Sequence, residues 1–169
     1  RTGGALLGDR IRMNCAASPR VYVRSMATRM AHAAVPATVR SALAGLRKAG
    51  YDLVFLETAG IGQSGSEIVD LSDYGLYVMT PEYGAPSQLE KIDMLDFADV
   101  VAINKSDKRG ADDALRYVAK QMQRNRGAFQ TPAEDMPVFN CIASRFGNAG
   151  VDALFAHIMN ALEARGLGQ

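Results

Sequence analysis

A four-residue polar stretch that follows an apolar run carries the strongest chemical signal in the sequence. Residues 100–103 (Val-Val-Ala-Ile) lead into Asn-Lys-Ser-Asp at 104–107, called the NKSD loop below. A carboxylate at Asp107 can accept hydrogen bonds from both the N1 hydrogen and the 2-amino group of guanine, a donor pair that adenine lacks. The Asn104 amide can bond the base edge and tie neighbouring loops together, while the Lys105 stem can lie along the ring face. The stretch predicts a loop that reads guanine.

A second apolar run, residues 53–56, is followed by the carboxylate of Glu57 and then by Gly60. Mg²⁺ prefers oxygen ligands, so an acid held at a strand end suits it. Gly60 leaves room for the backbone near a γ-phosphate, and its amide can bond a phosphate oxygen. In the Gly-rich stretch that follows, Gln63 can orient a water molecule. The alternatives are a solvated acid before a turn and an ordinary exposed glutamine.

A third run, Val138 to Ala143, ends at the small residues Ala143 and Ser144. Small side chains there would let backbone amides approach the carbonyl oxygen of the base. An ordinary turn of small residues explains the same pattern. The position of this run after the NKSD loop favours a role in binding the base.

These residues need strands and helices to position them. Apolar runs bounded by turn residues predict buried strands at Val21 to Arg24, Leu53 to Glu57, Gly75 to Thr80, Val100 to Asn104 and Val138 to Ala143. Helical spacing predicts helices at Ala37 to Ala49, Ser87 to Phe97, Ala111 to Asn125 and Val151 to Ala164. The alternation predicts an α/β fold with a mainly parallel sheet flanked by helices, in which ligands bind beyond the carboxyl ends of the strands.

Composition excludes several classes of function. The 169 residues are 48% hydrophobic and 22% charged, with a net charge of +1, as expected for one globular domain with no nucleic-acid partner. No apolar run is long enough for a membrane span and no signal-peptide pattern opens the chain, which predicts no membrane association and a cytoplasmic location. Cys15 and Cys141 are far apart and are expected to be buried, reduced thiols rather than metal ligands.

Three segments together resemble the MeaB-type GTPases of the G3E class, which are chaperones of adenosylcobalamin-dependent acyl-CoA mutases. They are residues 7–13 (Leu-Gly-Asp-Arg-Ile-Arg-Met), residues 57–64 (Glu-Thr-Ala-Gly-Ile-Gly-Gln-Ser) and the NKSD loop. Residues 76–99 resemble most closely the GTPase domains that lie within fused isobutyryl-CoA mutases. The similarity covers essentially the whole chain and implies that residues 1–169 form the C-terminal two-thirds of a GTPase domain, from switch I to its end. The implied fold is that of the P-loop NTPases of the SIMIBI or G3E type.

The resemblance implies a role for particular residues. GTP and Mg²⁺ would bind here, with Asp9 of the first switch and Glu57 at the metal and Gly60 to Ser64 as the second switch. A third switch, Glu82 to Lys91, would face the mutase through Gln88 and Lys91, although an exposed helix start explains these two residues equally well. Adenosylcobalamin would be bound by the mutase, an isobutyryl-CoA or methylmalonyl-CoA isomerase in cis or in trans, and not by this chain. A homodimer remains open.

The sequence departs from this family in one respect. It contains no P-loop, GxxxxGK[ST], whose amides and lysine hold the phosphates. The family places that loop before the Gly-rich stretch at residues 3–8, so the phosphate anchor and the strand that carries it are expected to be missing from residues 1–169. The alternative to a GTPase is a scaffold for mutase assembly without catalysis. Delivery of nickel or zinc is disfavoured because the cysteines and histidines are few and widely spaced.

We therefore expect residues 1–169 by themselves to have negligible GTPase activity, because nothing in them replaces the P-loop lysine. Phosphate release from GTP, measured on this polypeptide after removal of contaminating GTPases, should stay at the background rate. Turnover that rises with Mg²⁺ would contradict the expectation.

Overall fold

The computed structural model describes residues 13–26, 38–58 and 66–166. The chain divides into two compact units, one ending at Ala59 and the other beginning at Gly60. In the first unit a 3₁₀-helix spans Asn14–Ala17, and α1 spans Val39–Lys48. Val39, at the start of α1, is the buried residue of this helix.

Two of the predicted strands are wrong. Within residues 13–26 and 38–58 no residue belongs to a β-strand, so neither Val21 to Arg24 nor Leu53 to Glu57 lies in a sheet. A strand forms only where a neighbour accepts and donates its backbone hydrogen bonds, and the described residues of this unit supply no such neighbour. In the second run Leu53 and Phe55 are correspondingly exposed, at 47% and 83% of their full accessibility, while Val54 and Leu56 are partly buried.

One of the two predicted buried thiols is also exposed. Cys15 lies in the 3₁₀-helix of the first unit, which contains no buried residue. A single short helical turn presents its side chains to solvent when no other element packs on it. Cys141, in contrast, is buried as expected, and desolvation raises the pKa of its thiol.

The second unit contains a parallel sheet of three strands in the order β1-β2-β3. β1 spans Leu76–Met79, β2 spans Val100–Ile103 and β3 spans Val138–Asn140, each within its predicted run. All four residues of β2 are buried, which is expected when a central strand is covered on both faces. The predicted α/β fold with a parallel sheet flanked by helices is confirmed.

Four α-helices within residues 66–166 accompany this sheet. They are α2 (Pro86–Leu89), α3 (Met94–Phe97), α4 (Ala111–Asn125) and α5 (Ala149–Ala164). The core is a cluster of buried residues from β1, β2, the short helices and α4: Met79, Leu89, Leu95, Ala98, Val101, Ile103, Ala114, Val118, Ala119, Met122 and Met136. No helix among the described residues is both long and apolar enough to cross a membrane.

The predicted helix from Ser87 to Phe97 is instead two short helices with a break between them. Leu89 and Leu95 are both buried, at 3% and 2% exposure. In one continuous helix, six residues correspond to about 600° of rotation, which would direct these two side chains about 120° apart. The break at residues 90–93 lets both leucines enter the same core.

Gly150, in the first turn of α5, permits close contact between this helix and the end of β3. A Cβ atom there would lie 1.8 Å from the carbonyl oxygen of Asn140. Gly150→Ala should therefore destabilise the protein by about 1–3 kcal/mol, because backbone rather than a flexible side chain must move. The measurement is urea unfolding of the full-length protein.

The matched control is Gly45→Ala in α1, where an added Cβ would meet no atom within 4 Å. Alanine is the better helix former by roughly 0.5–1 kcal/mol, so this control should not lower stability. Equal unfolding midpoints for Gly150→Ala and the unchanged protein would contradict the close contact.

Candidate guanine-binding site

The NKSD loop and the loop after β3 leave the sheet at the same edge. β2 and β3 are parallel neighbours, with Ile103 opposite Asn140. The backbone ladder continues past the strands, since the Cys141 amide donates to the Ile103 carbonyl at 2.8 Å and the Ser106 amide donates to the Cys141 carbonyl at 3.1 Å. Both loops therefore start from backbone whose positions are set by the sheet.

The side chain of Asn104 joins these two loops. The backbone amide of Ala143 donates to Asn104 Oδ1 at 3.1 Å, across 39 residues of sequence. The backbone amide of Asn104 donates to the carbonyl of Met79 at the end of β1, at 2.8 Å. Among the described residues no group accepts a hydrogen bond from Asn104 Nδ2, so this donor is available to a ligand.

Lys105 and Asp107 present their side chains to solvent. Lys105 has a φ of +59°, a left-handed conformation that costs a non-glycine residue on the order of 1–2 kcal/mol. The turn is closed by the Lys108 amide, which donates to the Lys105 carbonyl at 3.0 Å. This conformation carries the chain from Asn104 to Asp107 in a tight turn and leaves both side chains exposed.

Ser106, which lies between Asn104 and Asp107, holds the NKSD loop against the end of β2. Its hydroxyl donates to the Ile103 carbonyl at 2.5 Å and also lies 3.2 Å from Asn140 Oδ1. Asn140 Nδ2 in turn lies 3.5 Å from Asp112 Oδ1 in the first turn of α4. Sequence reasoning missed Ser106 and Asn140, because the contacts depend on which strands are neighbours.

Asn148 fastens the other loop, and sequence reasoning missed it as well. Its Oδ1 accepts from the Val151 amide at 3.2 Å, as an N-cap of α5, and from the Ile142 amide at 3.1 Å. One side-chain oxygen thus joins the start of the loop to the helix that follows. The signal was present, since asparagine before an apolar helical pattern predicts an N-cap.

An ion pair lies beside the NKSD loop. Lys108 Nζ is 2.5 Å from Glu82 Oε1, and both side chains are about half exposed. Hydrogen bonds from Lys108 and Thr80 lower the pKa of Glu82 to about 2, and Glu82 raises the pKa of Lys108. A lowered carboxyl pKa means that the charge is lost only as the pH falls toward 2. The pair is therefore ionised at neutral pH.

The remaining predicted residues are distributed as follows. Ser144 is exposed in the loop after β3, and Gln88 and Lys91 are exposed at and just after α2. Glu57 is exposed in the first unit. Asp9, Gly60 and Gln63 lie outside the described residues. Within the described ranges no three His, Cys, Asp or Glu side chains come close enough together to hold a metal ion.

Replacing Asn148 tests the two hydrogen bonds that its side-chain oxygen accepts. Asn148→Ala loses the acceptor for both amides and should cost about 1–2 kcal/mol of stability, with faster hydrogen exchange at the Ile142 amide. Asn148→Asp keeps an acceptor oxygen, so it should retain most of the stability and most of the protection of the Ile142 amide from exchange. Asn160→Ala, at an exposed position of α5, is the control. Unchanged exchange at Ile142 in Asn148→Ala would refute the link.

Comparison with known proteins identifies the family. Residues 1–167 match the family described as methylmalonyl Co-A mutase-associated GTPase MeaB. The chain is 57% identical to fused isobutyryl-CoA mutase of Paraburkholderia xenovorans, over 99% of this chain and 13% of that protein. It is 57% identical to the protein of the same name from Nocardia farcinica, over 99% of the chain and 16% of that protein. It is 48% identical to the protein of the same name from Geobacillus kaustophilus, over 98% of this chain and 15% of that protein.

The chain thus spans less than one fifth of the length of these relatives, with shares of 13%, 16% and 15%. The family model, in contrast, covers nearly all of the chain, residues 1–167. The chain belongs to the MeaB family of GTPases.

Proposed function

We propose that the chain is the base-reading part of a GTP-binding and GTP-hydrolysing chaperone domain, which gates the loading or protection of adenosylcobalamin in an acyl-CoA mutase. The similarity to three fused isobutyryl-CoA mutases favours a mutase in the same polypeptide. Methylmalonyl-CoA mutase is the other candidate partner, from the description of the family. The cobalamin belongs to the mutase in either case.

The observation that carries the proposal is the hydrogen bond from the Ala143 amide to Asn104 Oδ1. It holds two loops together at the carboxyl edge of a parallel sheet, where ligands of such folds bind. It also orients the Asn104 amide so that Nδ2 is the group left to donate to a base.

Base recognition follows from the groups that remain. The exposed carboxylate of Asp107 accepts from N1 and the 2-amino group of guanine, a charge-assisted pair of hydrogen bonds. Asn104 Nδ2 would donate to the base, and the backbone amide of the exposed residue Ser144 would donate to the carbonyl oxygen of guanine, because the Ala143 amide already donates to Asn104 Oδ1. The stem of Lys105 covers the ring.

Hydrolysis would depend on residues of the first unit and of the segment after it. Mg²⁺, when bound with GTP, neutralises phosphate charge. The exposed carboxylate of Glu57 offers oxygen ligands suited to that ion, directly or through water, and Asp9 is its proposed companion. Gly60 would bond a phosphate oxygen and Gln63 would orient the attacking water.

The mutase would contact the segment that holds Gln88 and Lys91. Both side chains are exposed, whereas Leu89 between them is 3% exposed and inserts into the core. The short helix α2 is therefore fixed by an apolar anchor and presents polar groups outward. Another domain could therefore bind these polar groups without disturbing the core.

Asp107→Asn tests the base-reading role. Asparagine can still accept from N1 but would donate to, rather than accept from, the group at C2, so xanthine, with a carbonyl there, becomes the better partner. GTP affinity should fall by roughly tenfold to a hundredfold, about 1.5–3 kcal/mol, while XTP affinity rises. Titration calorimetry of the full-length protein with GTP, XTP and ATP measures this change.

Asp113→Asn provides the matched control. Asp113 is also an exposed aspartate near the start of α4, where it pairs with Arg116. This substitution removes the same charge and should leave the order of nucleotide affinities unchanged. Retention of the GTP preference in Asp107→Asn would sink the proposal that the NKSD loop reads the base.

A further inference from the structure

Phe146, in the loop after β3, holds its ring fully in solvent. It is the most exposed large apolar side chain among the described residues, at 108% of its full accessibility, compared with 83% for Phe55. Apolar ring area left in water is unfavourable. Single exposed apolar residues are nevertheless common on protein surfaces, so the position of this ring within its loop is what gives it meaning.

The loop that carries Phe146 turns back on itself and is held at its end. The Arg145 amide donates to the Ile142 carbonyl at 2.9 Å, which closes a turn. Gly147 has a φ of +66°, a left-handed conformation that suits glycine. Asn148 then accepts from the Ile142 amide at 3.1 Å and joins the two ends of the loop. The ring therefore projects from a closed loop whose ends are fixed.

The same loop carries the residue proposed to bind the carbonyl oxygen of guanine. The Ala143 amide donates to Asn104 Oδ1 at 3.1 Å, and the next amide, that of Ser144, is the proposed donor to the base. Two residues of chain span at most about 7 Å, so the Cα atoms of Ser144 and Phe146 lie within that distance of each other. A phenyl ring attached at this point can reach a base that is bound at Ser144.

A planar base that is held only at its edges has both faces in water. In the proposed function the NKSD loop binds one edge through Asp107 and covers one face with the stem of Lys105. None of the contacts proposed so far covers the other face. Aromatic side chains stack favourably on bases, and they do so with any base because every base has a π-face. An exposed ring on the loop after β3 is suited to supply this contact.

From this placement we infer that Phe146 is a binding residue of the guanine site, which stacks on the face of the base that Lys105 leaves open. The inference rests on the proposed function of the NKSD loop and adds a contact from the loop after β3. It divides recognition into two parts. The hydrogen bonds that Asp107 accepts select the base, whereas the Phe146 ring raises the affinity for any purine that fits between the two loops.

Phe146→Ala tests this contact in the full-length protein. GDP affinity, measured by titration calorimetry, should fall by roughly fivefold to thirtyfold, as expected for the loss of one stacked ring. IDP, which lacks only the 2-amino group, should lose affinity by the same factor, because stacking does not read that group. Phe146→Tyr and Phe146→Trp keep an aromatic face and should bind GDP within about twofold of the unchanged protein.

Two further measurements separate stacking from a general effect on the site. Tripolyphosphate has no base, so its inhibition constant against GTP hydrolysis should be the same in Phe146→Ala and in the unchanged protein. Stacking is made equally in the ground state and in the transition state. The KM for GTP should therefore rise in Phe146→Ala while kcat stays within about twofold.

Phe129→Ala is the matched control. Phe129 is also an exposed loop phenylalanine, at 70%, but it lies between the end of α4 and the start of β3, at the opposite edge of the sheet from the NKSD loop. This substitution should leave the GDP and IDP affinities unchanged.

Equal GDP affinity in Phe146→Ala and in the unchanged protein overturns the inference. So does a loss that Phe146→Tyr and Phe146→Trp do not restore, a loss that tripolyphosphate shares, or an equal loss in Phe129→Ala. Failure of the unchanged protein to bind GDP instead refutes the proposed function, so the two failures are distinguishable.

Discussion

The parallel pairing of β2 with strands on both sides is the constraint on which the candidate site depends. Because all four residues of β2 are buried, a shift of one residue would exchange the side chains on its two faces and disrupt the core. The register therefore fixes the position at which β2 ends, at Ile103, and the loop begins, at Asn104. Backbone hydrogen bonds at this point run from Asn104 to Met79 on one side and from Cys141 to Ile103 on the other.

Beyond the strands, the position of each loop depends on side-chain hydrogen bonds rather than on the sheet. Ser106 holds the NKSD loop against the end of β2, and Asn148 holds the loop after β3 against α5. Asn104 then connects the two loops to one another. Groups held in this way lose little conformational freedom if a ligand binds to them, which favours binding.

The sequence was sufficient to predict the strands and the helix whose apolar residues pack into the core. β1, β2, β3 and α4 lie within or match the predicted ranges, because strand-length apolar runs and helical spacing both reflect burial. It failed for residues 53–57, where an apolar run is only partly buried and forms no strand, and for the break between α2 and α3. In both places the outcome depends on what packs nearby, which local spacing does not encode.

The contacts of the site were predictable to different degrees for the same reason. Asn104 and Asp107 stand out because their chemistry and their place after a strand are both visible in the sequence. Asn148 could have been found from its place before a helical pattern. Lys108 and Glu82 could not, since their meeting requires β1 and β2 to be neighbours and the turn after β1 to lie against α4.

The start of α4 therefore supports both the NKSD loop and the segment of residues 81–91. Gly110, with a φ of +88°, ends the turn after the NKSD loop as the N-cap residue of α4, and Ala114, one turn later, contacts the turn at Gly84. That contact between small residues is apolar and insensitive to charge, so it sets the distance between the two segments. The Glu82 ion pair acts across a distance already set.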